Sequence, residues 1–405
     1  MKIAIVIDSI LGVGGASRQA LYLASELTKT GQDVAIYTYY WDENSEYKEL
    51  FGNIEIISLY KTESEWRTAS ASLQENKLLK RLHQSFVLNK KNLQALALLI
   101  PTDVDVINPH SSCHPITRYV KRLNPKLVSV AMINDPDLNR WSAIRFGIKE
   151  NIFKKIFRFL SDLPEVLLLK QHNKIIVLDH LNRVWMKKLA GVEATVVRSG
   201  LDIQHFAKNQ NRSMAAPTKN DTIRLLGIGI LMEHRRFEDA ILAIKILRNE
   251  GYNATLTIIG AHDSTNPYKL NLDTIIRENH LTEYIILLNK ISEEELVESF
   301  ASHHFFVFPN HLQTWGLAIF EAMASKLPVI VSNSTGGSEM LTHKENAWII
   351  SPKNPADIAE AIIRLSNDPE QYKTISENGY DFVSKNISWT KYATAMLEQF
   401  KSVQK

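Results

Sequence analysis

The chain has one cysteine in 405 residues, Cys113, so it cannot close an intrachain disulfide, and a reducing compartment is the expected setting. The expected location is therefore the cytoplasm, including the inner face of its membrane. No apolar run approaches the ~20 residues that span a bilayer, which argues against an integral membrane protein. The opening residues MKIAIVIDSILGVGGA are interrupted by Asp8 and run into a glycine-rich turn, so they read as a first β-strand rather than a secretory signal. A short internal repeat, a low-complexity tract, a Walker loop and a nucleophile elbow are also missing. Net charge is only +3, and no nucleic-acid partner is expected.

What is present is ordinary for a soluble globular protein: 45% hydrophobic and 22% charged residues. The length suggests two or three domains at about 150 residues each. Short β-branched runs alternate with helical patterns: KIAIVID, DVAIYTY, IEIISLY, VDVINPH, KLVSVAMI, NKIIVLD and ATVVRSG come first. TIRLLGIGI, ATLTIIG, YIILLNK, FFVFP, PVIVSN and NAWIISP follow. Strands apolar on both faces belong in parallel sheets covered by helices, so the expected class is α/β with two doubly wound, Rossmann-like domains. AKNQNRSMAAPTKNDT, residues 207–222, is polar and aperiodic and reads as a linker. The expected division is an N-terminal domain over 1–206, a C-terminal domain over 223–386, and a last amphipathic helix over 387–405. Such domains leave a central cleft, with ligands at the carboxyl ends of the strands.

Charge is unevenly placed: the first 200 residues carry an excess of Lys and Arg, the remainder an excess of Asp and Glu. Within the basic half, Phe146, Ile152, Phe153, Ile156, Phe157 and Leu160 stand near helical spacing, with Lys149, Lys154, Lys155 and Arg158 between them. Two readings stand. The first, the commoner use of an amphipathic helix, packs the stripe onto its own domain. The second lays it on an anionic membrane surface.

Four segments carry candidate chemistry. DSILGVGGASRQ is a strand, a turn with Gly12, Gly14 and Gly15, and a helix start, where backbone N–H groups can meet an anion. It lacks the dinucleotide fingerprint, with Ser17 at the third glycine position, and serves equally well as a structural turn. GIGILMEHRRFEDAI puts Arg235 and Arg236 where a strand ends, suited to a phosphate; the alternative is pairing with Glu233, Glu238 or Asp239. In FFVFPNHLQTWGLAIFEAMASKLPVIVSN, Thr314 as helix cap would expose the N–H groups of Trp315, Gly316 and Leu317 to a diphosphate. Glu321 would lie further along the same helix, among apolar neighbours, where a carboxylate needs a partner such as a ribose. SNSTGGSEML adds Gly336, Gly337 and Glu339 after the next strand, again with an ordinary turn as the alternative. The aspartate pairs in DVD (103–105) and DPD (135–137) match a common chance pattern, and His303, His304 and His311 lack companions at zinc-ligand spacing.

Taken together, GVGGASRQALYLASELTKTGQDVAIYT, VVRSGLDIQHF, GILMEHRRFEDAI, GLAIFEAMASKLPVIVSNSTGGSEML and AWIISPKNPADIAEAIIRLSNDPE resemble the family 4 glycosyltransferases. These are retaining enzymes of the GT-B fold, and the resemblance runs along almost the whole chain. It implies transfer of a sugar from a nucleotide-diphosphate donor, UDP- or GDP-linked, to a hydroxyl of a glycan or lipid-linked acceptor. No cofactor or metal is implied. Arg235 matches the family's diphosphate-binding lysine, while Ile230 stands where its arginine usually lies, with Arg236 as a stand-in. Glu321 matches the ribose-binding second glutamate. Gly316 and Leu317 match the backbone donors for diphosphate and sugar, Gly14 and Gly15 the N-domain loop, and Asn134 a histidine that reaches the donor sugar. The first glutamate of the family pair is Gln313 here. A last helix that crosses back to the N-domain is also implied. The departures at Ile230, Gln313 and Asn134 keep open a nucleotide-sugar-binding protein without catalysis, and the fold also admits an epimerase or hydrolase of nucleotide sugars. A nicotinamide dehydrogenase is disfavoured by the missing fingerprint.

Overall fold

The β-branched runs become short strands that pair in parallel in a seven-stranded and a six-stranded sheet. The computed structural model describes residues 1–10, 15–42, 50, 52, 54–71, 80–208 and 215–404, the side chains of 69–71 and 80–89 excepted. The chain divides into two compact units. The first comprises Met1–Ile144, Ile148–Gly200 and Trp389–Lys405, and the second comprises Arg145–Gly147 and Leu201–Ser388.

In the first unit the strands are β1 (Lys2–Val6), β2 (Ser9–Ile10), β3 (Asp33–Thr38), β4 (Tyr40–Trp41), β5 (Glu55–Ser58), β6 (Val106–Pro109), β7 (Val128–Met132), β8 (Lys174–Val177) and β9 (Thr195–Val196). The sheet order is β5-β3-β1-β6-β7-β8-β9, with β2 and β4 as a separate parallel pair. Ala4, Val6 and Ile107 on the sheet and Leu93, Leu96 and Ile116 on its covering segments are buried in one core, which also holds Cys113. The last helix, Trp389–Ser402, belongs to this unit. Its Trp389 ring stacks on Tyr22 of the helix Gly15–Lys29, with centroids 4.6 Å apart, and Lys174 Nζ donates to Gln399 Oε1 at 2.8 Å.

In the second unit β10 (Ile223–Ile228), β11 (Ala254–Ile259), β12 (Ile285–Leu288), β13 (Phe305–Phe308), β14 (Val329–Ser332) and β15 (Trp348–Ile350) form a sheet of order β12-β11-β10-β13-β14-β15. The strands are mostly apolar, with β13 and β14 buried throughout, and the helix Phe237–Asn249 buries Ile241, Ile244 and Leu247 against the sheet.

Two expectations need correction. The boundary falls after Gly200 instead of after residue 206. Phe206 explains this: it is buried, meets Phe300 edge-on at 5.9 Å, and its carbonyl accepts a hydrogen bond from Ser325 Oγ at 3.1 Å. Of the expected linker, residues 209–214 lie outside the described residues, and Ala216 packs on the second core. The second correction concerns the basic apolar stripe. The helix Ile152–Leu169 does not turn it onto its own domain: Ile152, Phe153, Ile156, Phe157 and Leu160 are all more than half exposed. Among the described residues, no helix is long and apolar enough to cross a membrane.

If the last helix is an integral part of the first unit, removing its stacked indole leaves a hole that neighbouring chain cannot refill. Trp389→Ala is expected to cost about 3 kcal/mol. Urea unfolding of the full chain checks this; an unchanged midpoint for the first unit would show that the helix contributes little.

Candidate functional site

In an open parallel sheet the connections leave in opposite directions on either side of one strand pair, and the gap at the carboxyl ends there stays uncovered. In the second unit that pair is β10 and β13. The chain after β10 carries Gly229 to Arg236, and the chain after β13 carries Asn310 to Gly316. Hydrogen bonds join the two segments. His311 N–H donates to the His234 carbonyl at 2.8 Å, and His234 Nε2 lies 2.9 Å from Gln313 Oε1. With its amide oxygen turned to the guanidinium, Asn310 accepts from Arg235 at 3.1 Å and donates to the Arg235 carbonyl at 2.9 Å.

Backbone approach sets where Arg235 lies. Gly229 has φ +153, and its missing side chain leaves the space the Arg235 guanidinium fills, 3.1 Å from where a Cβ would be. At Gly260 a Cβ would stand 1.9 Å from the Gly229 carbonyl oxygen, so the turns after β10 and β11 touch backbone to backbone. Arg236 is placed differently. Its guanidinium pairs with Glu238 at 2.5 Å and with Asp239 at 2.6 Å, so the pairing reading holds for this arginine. Ile230, where the resemblance expects an arginine, is exposed.

The helix Leu317–Ala324 starts from Gly316, not from Thr314. Gly316 adopts φ 84, a left-handed conformation, and no side chain caps the helix. Thr314 is instead buried, and Trp315 stacks on Phe320 with centroids 4.7 Å apart, so the helix starts two residues later than expected. A Cβ on Gly316 would stand 2.9 Å from the Phe308 ring. Ile319 N–H donates to the Gly316 carbonyl, which leaves the Leu317 and Ala318 amides at the open helix end. Glu321 lies roughly 6 Å further along the axis from Leu317, and is buried.

The turn after β14 closes on the same segment. Gly336 N–H donates to the Gln313 carbonyl at 2.8 Å, and a Cβ on Gly337 would meet the Trp315 carbonyl at 2.4 Å. Glu339 follows on an exposed turn. The second unit therefore brings Arg235, Gln313, Trp315, Gly316, Leu317, Gly336 and Gly337 into one set of touching turns, with Glu321 on the helix they start. Sequence reasoning passed over His234 and Asn310. His234 sits inside the quoted MEHRRF, and only the fold reveals that its ring faces Gln313.

Burial, reinforced by the adjacent Arg235 charge, holds the His234 imidazole down to about 3, so it is neutral at physiological pH. A neutral ring facing Gln313 Oε1 carries its proton on Nε2, and Nε2–H donates to the amide oxygen. The amide nitrogen of Gln313 is thereby turned the other way.

In the first unit Asn134 follows β7. Its carbonyl accepts from Asn182 Nδ2 at 2.9 Å, while its side-chain oxygen is enclosed without a hydrogen bond among the described residues. Asp135 accepts from Trp141 Nε1 at 2.7 Å. Gly15 opens the helix that follows β2 and is exposed; Gly14 lies outside the described residues. The same unit contains a pocket of about 140 Å³ that sequence reasoning did not find, lined by Lys90, His114, Arg118, Asp137 and Glu165 among others. His114 bridges Glu165 and His172, at 2.5 and 3.2 Å. Burial raises the Asp137 carboxyl, and the nearby Glu165 adds to it; burial lowers His172 well below the usual range. Among the described residues no group of three or more His, Cys, Asp or Glu could hold a metal ion.

Residues 209–382 match the family described as "Glycosyl transferases group 1". That match covers less than half of the chain. It is 26% identical over 192 residues to the capsular polysaccharide biosynthesis glycosyltransferase CapM of Staphylococcus aureus, covering 47% of this chain and 49% of that one. It is also 26% identical over 197 residues to the amylovoran biosynthesis glycosyltransferase AmsK of Erwinia amylovora, covering 46% of each. The chain thus spans about half the length of these curated relatives. Among solved structures, sucrose-phosphate synthase from Thermosynechococcus elongatus superposes with TM-score 0.74 at 17% identity, covering 99% of this chain and 98% of that one. Anabaena Alr3699/HepE in complex with UDP-glucose gives 0.70 at 14%, covering 99% and 100%. The fold is GT-B. The matched residues include the whole of the touching turns around Arg235 and Gln313.

The His234–Gln313 contact has a pH signature. A group buried in its neutral form leaves the unfolded chain binding more protons between about pH 3 and 6.5, so its contribution to stability is complete above that window and falls as the solution is acidified through it. Nitrogen-15 spectra of the imidazoles should show His234 as the neutral Nε2–H tautomer, unchanged from neutral pH to pH 5. Gln313→Glu puts a carboxylate against Nε2 and should raise the His234 pKa by roughly one to three units. An imidazole that titrates near 6.5 in the unaltered protein would contradict this geometry.

Proposed function

We propose that this protein is a retaining glycosyltransferase that moves a sugar from a UDP- or GDP-linked donor to a hydroxyl of a glycan or lipid-linked acceptor. The observation that carries this reading is the gap between the ends of β10 and β13. There an arginine held by Asn310, the open end of a helix at Gly316 and a buried Glu321 are joined by the contacts among the 234–236, 310–317 and 335–337 turns. Those features suit, in order, the diphosphate, its second phosphate or the sugar, and the ribose. The UDP-glucose bound by the Anabaena structure of the same fold supports a nucleotide sugar.

As the glycosidic bond breaks, negative charge collects on the departing diphosphate, and fixed positive potential there lowers the barrier most. Arg235 supplies a permanent cation, and the helix start adds its dipole, so the proposed reaction requires no metal. The bond from anomeric carbon to phosphate oxygen breaks while the acceptor oxygen attacks the same face, and the acceptor proton passes to the leaving phosphate oxygen. A two-step route needs a carboxylate nucleophile. Gln313 has none, and with its oxygen accepting from His234 its NH2 is left to donate to a sugar hydroxyl.

Ile230 favours a second reading, a nucleotide-sugar-binding protein without turnover, because it puts an exposed apolar side chain where a second phosphate-binding arginine is expected. A mass-spectrometric screen of UDP- and GDP-sugars with the purified protein, with and without acceptor glycans, separates the two; product without any acceptor would point to an epimerase or hydrolase. In the transferase reading Arg235→Ala loses turnover by roughly a hundredfold or more. An unaffected variant removes the phosphate role. A Gln313→Glu enzyme faster than the parent by orders of magnitude would remove the same-face route.

A further inference from the structure

The helix Ile152–Leu169 is two-faced in a way its own unit does not use. Asp162, Val166, Leu168 and Leu169 are buried, whereas Ile152, Phe153, Ile156, Phe157, Leu160 and Leu167 are 51–78% exposed. At 3.6 residues per turn, the exposed apolar side chains, Phe159 and Leu163 included, cover an arc of roughly 160° centred opposite the buried ones. Lys154 and Lys155 fall on either side of that arc, and both are exposed. The acidic residues of the surrounding stretch, 145–170, are Glu150, Asp162 and Glu165, and all three are engaged by the protein. They pair with Arg158, Arg140 and His114 respectively. What faces solvent is therefore apolar in the middle and cationic at both borders, with Lys149 at the amino end.

We propose that this helix docks the protein on an anionic bilayer, lying in the plane of the interface with the apolar arc in the acyl boundary and Lys149, Lys154 and Lys155 among the head groups. The large apolar area supplies the depth and the lysines supply the preference for anionic lipid, each about as strong as expected near such a surface. The opposite face of the helix contributes Glu165 and Leu168 to the pocket with Lys90 and Arg118. The inference stands independently of the proposed sugar transfer.

Flotation of the full chain with phosphatidylcholine vesicles, and with mixed phosphatidylcholine and phosphatidylglycerol vesicles, tests it. Binding to the anionic vesicles is expected, weaker at high salt, and lost by roughly tenfold or more in both Lys154→Glu/Lys155→Glu and Phe153→Glu/Phe157→Glu. These side chains are exposed, so unfolding midpoints should hold, and shifts in melting temperature with UDP- and GDP-sugars should match the parent. Binding to neither vesicle overturns the proposal, as does binding that ignores both variants. So does a dimer in solution that Phe153→Glu/Phe157→Glu dissolves while vesicle binding is absent.

Discussion

Everything at the candidate site depends on the uncovered gap at the carboxyl ends of β10 and β13, where the sheet's connections part. A gap of this kind is lined by backbone unless side chains reach in, and here the backbone is brought unusually close. Gly260 against Gly229, and Gly337 against Trp315, are contacts that any side chain would break. Their effect is to bring the turns after neighbouring strands into contact, with Arg235 and the helix start at Gly316 on the same set of turns and Arg145 Nε donating to the Leu312 carbonyl beside them. Gly316 has the same need for a second reason, since it must both turn left-handed and clear the Phe308 ring.

The charge pattern follows from that crowding. Arg235 hydrogen-bonds with Asn310, whereas Arg236 one residue later is matched by two carboxylates, Glu238 and Asp239. The two adjacent arginines are therefore held on different partners. A protonated His234 beside Arg235 would set two cations together in a dry place, and burial settles that conflict by keeping the imidazole neutral. The neutral ring then has a proton to offer on Nε2, and an amide oxygen at Gln313 accepts it with no charge brought in. A carboxylate at the same position would draw the imidazole towards its charged form. Gln313 and His234 are thus one unit electrostatically, and the amide is consistent with its surroundings.

Much of this was legible in the sequence. Alternating apolar runs and helical spacing gave the α/β class, because strands covered on both faces must be apolar throughout. The glycines in TGG and TWG, and Arg235 at a strand end, marked the turns that meet. The rest was hidden for identifiable reasons. The division after Gly200 turns on one buried ring, Phe206, that local polarity does not reveal. Thr314 has the residue type of a helix cap, but burial of Trp315 against Phe320 overrides that local preference. His234 and Asn310 gain meaning only when strands distant in sequence are set side by side. The same is true of the contacts joining His114 to Glu165 and His172, which lie more than fifty positions away from it.

The stripe on Ile152–Leu169 misled for a deeper reason. A helical period shows that one face of a helix is apolar, but the sequence does not say which face the protein buries. In this helix the buried face is the mixed one: Asp162 pairs with Arg140 there, and Glu165 lies in hydrogen-bonding contact with His114, so neither polar group is buried without a partner. The uniformly apolar face had no comparable claim on the interior and was left outside. Leaving that much apolar surface in water is unfavourable at about 25 cal/mol per Å². An exposed patch of this kind, rimmed by cations and kept clear of acids, is the surface expected of a helix that meets a second phase.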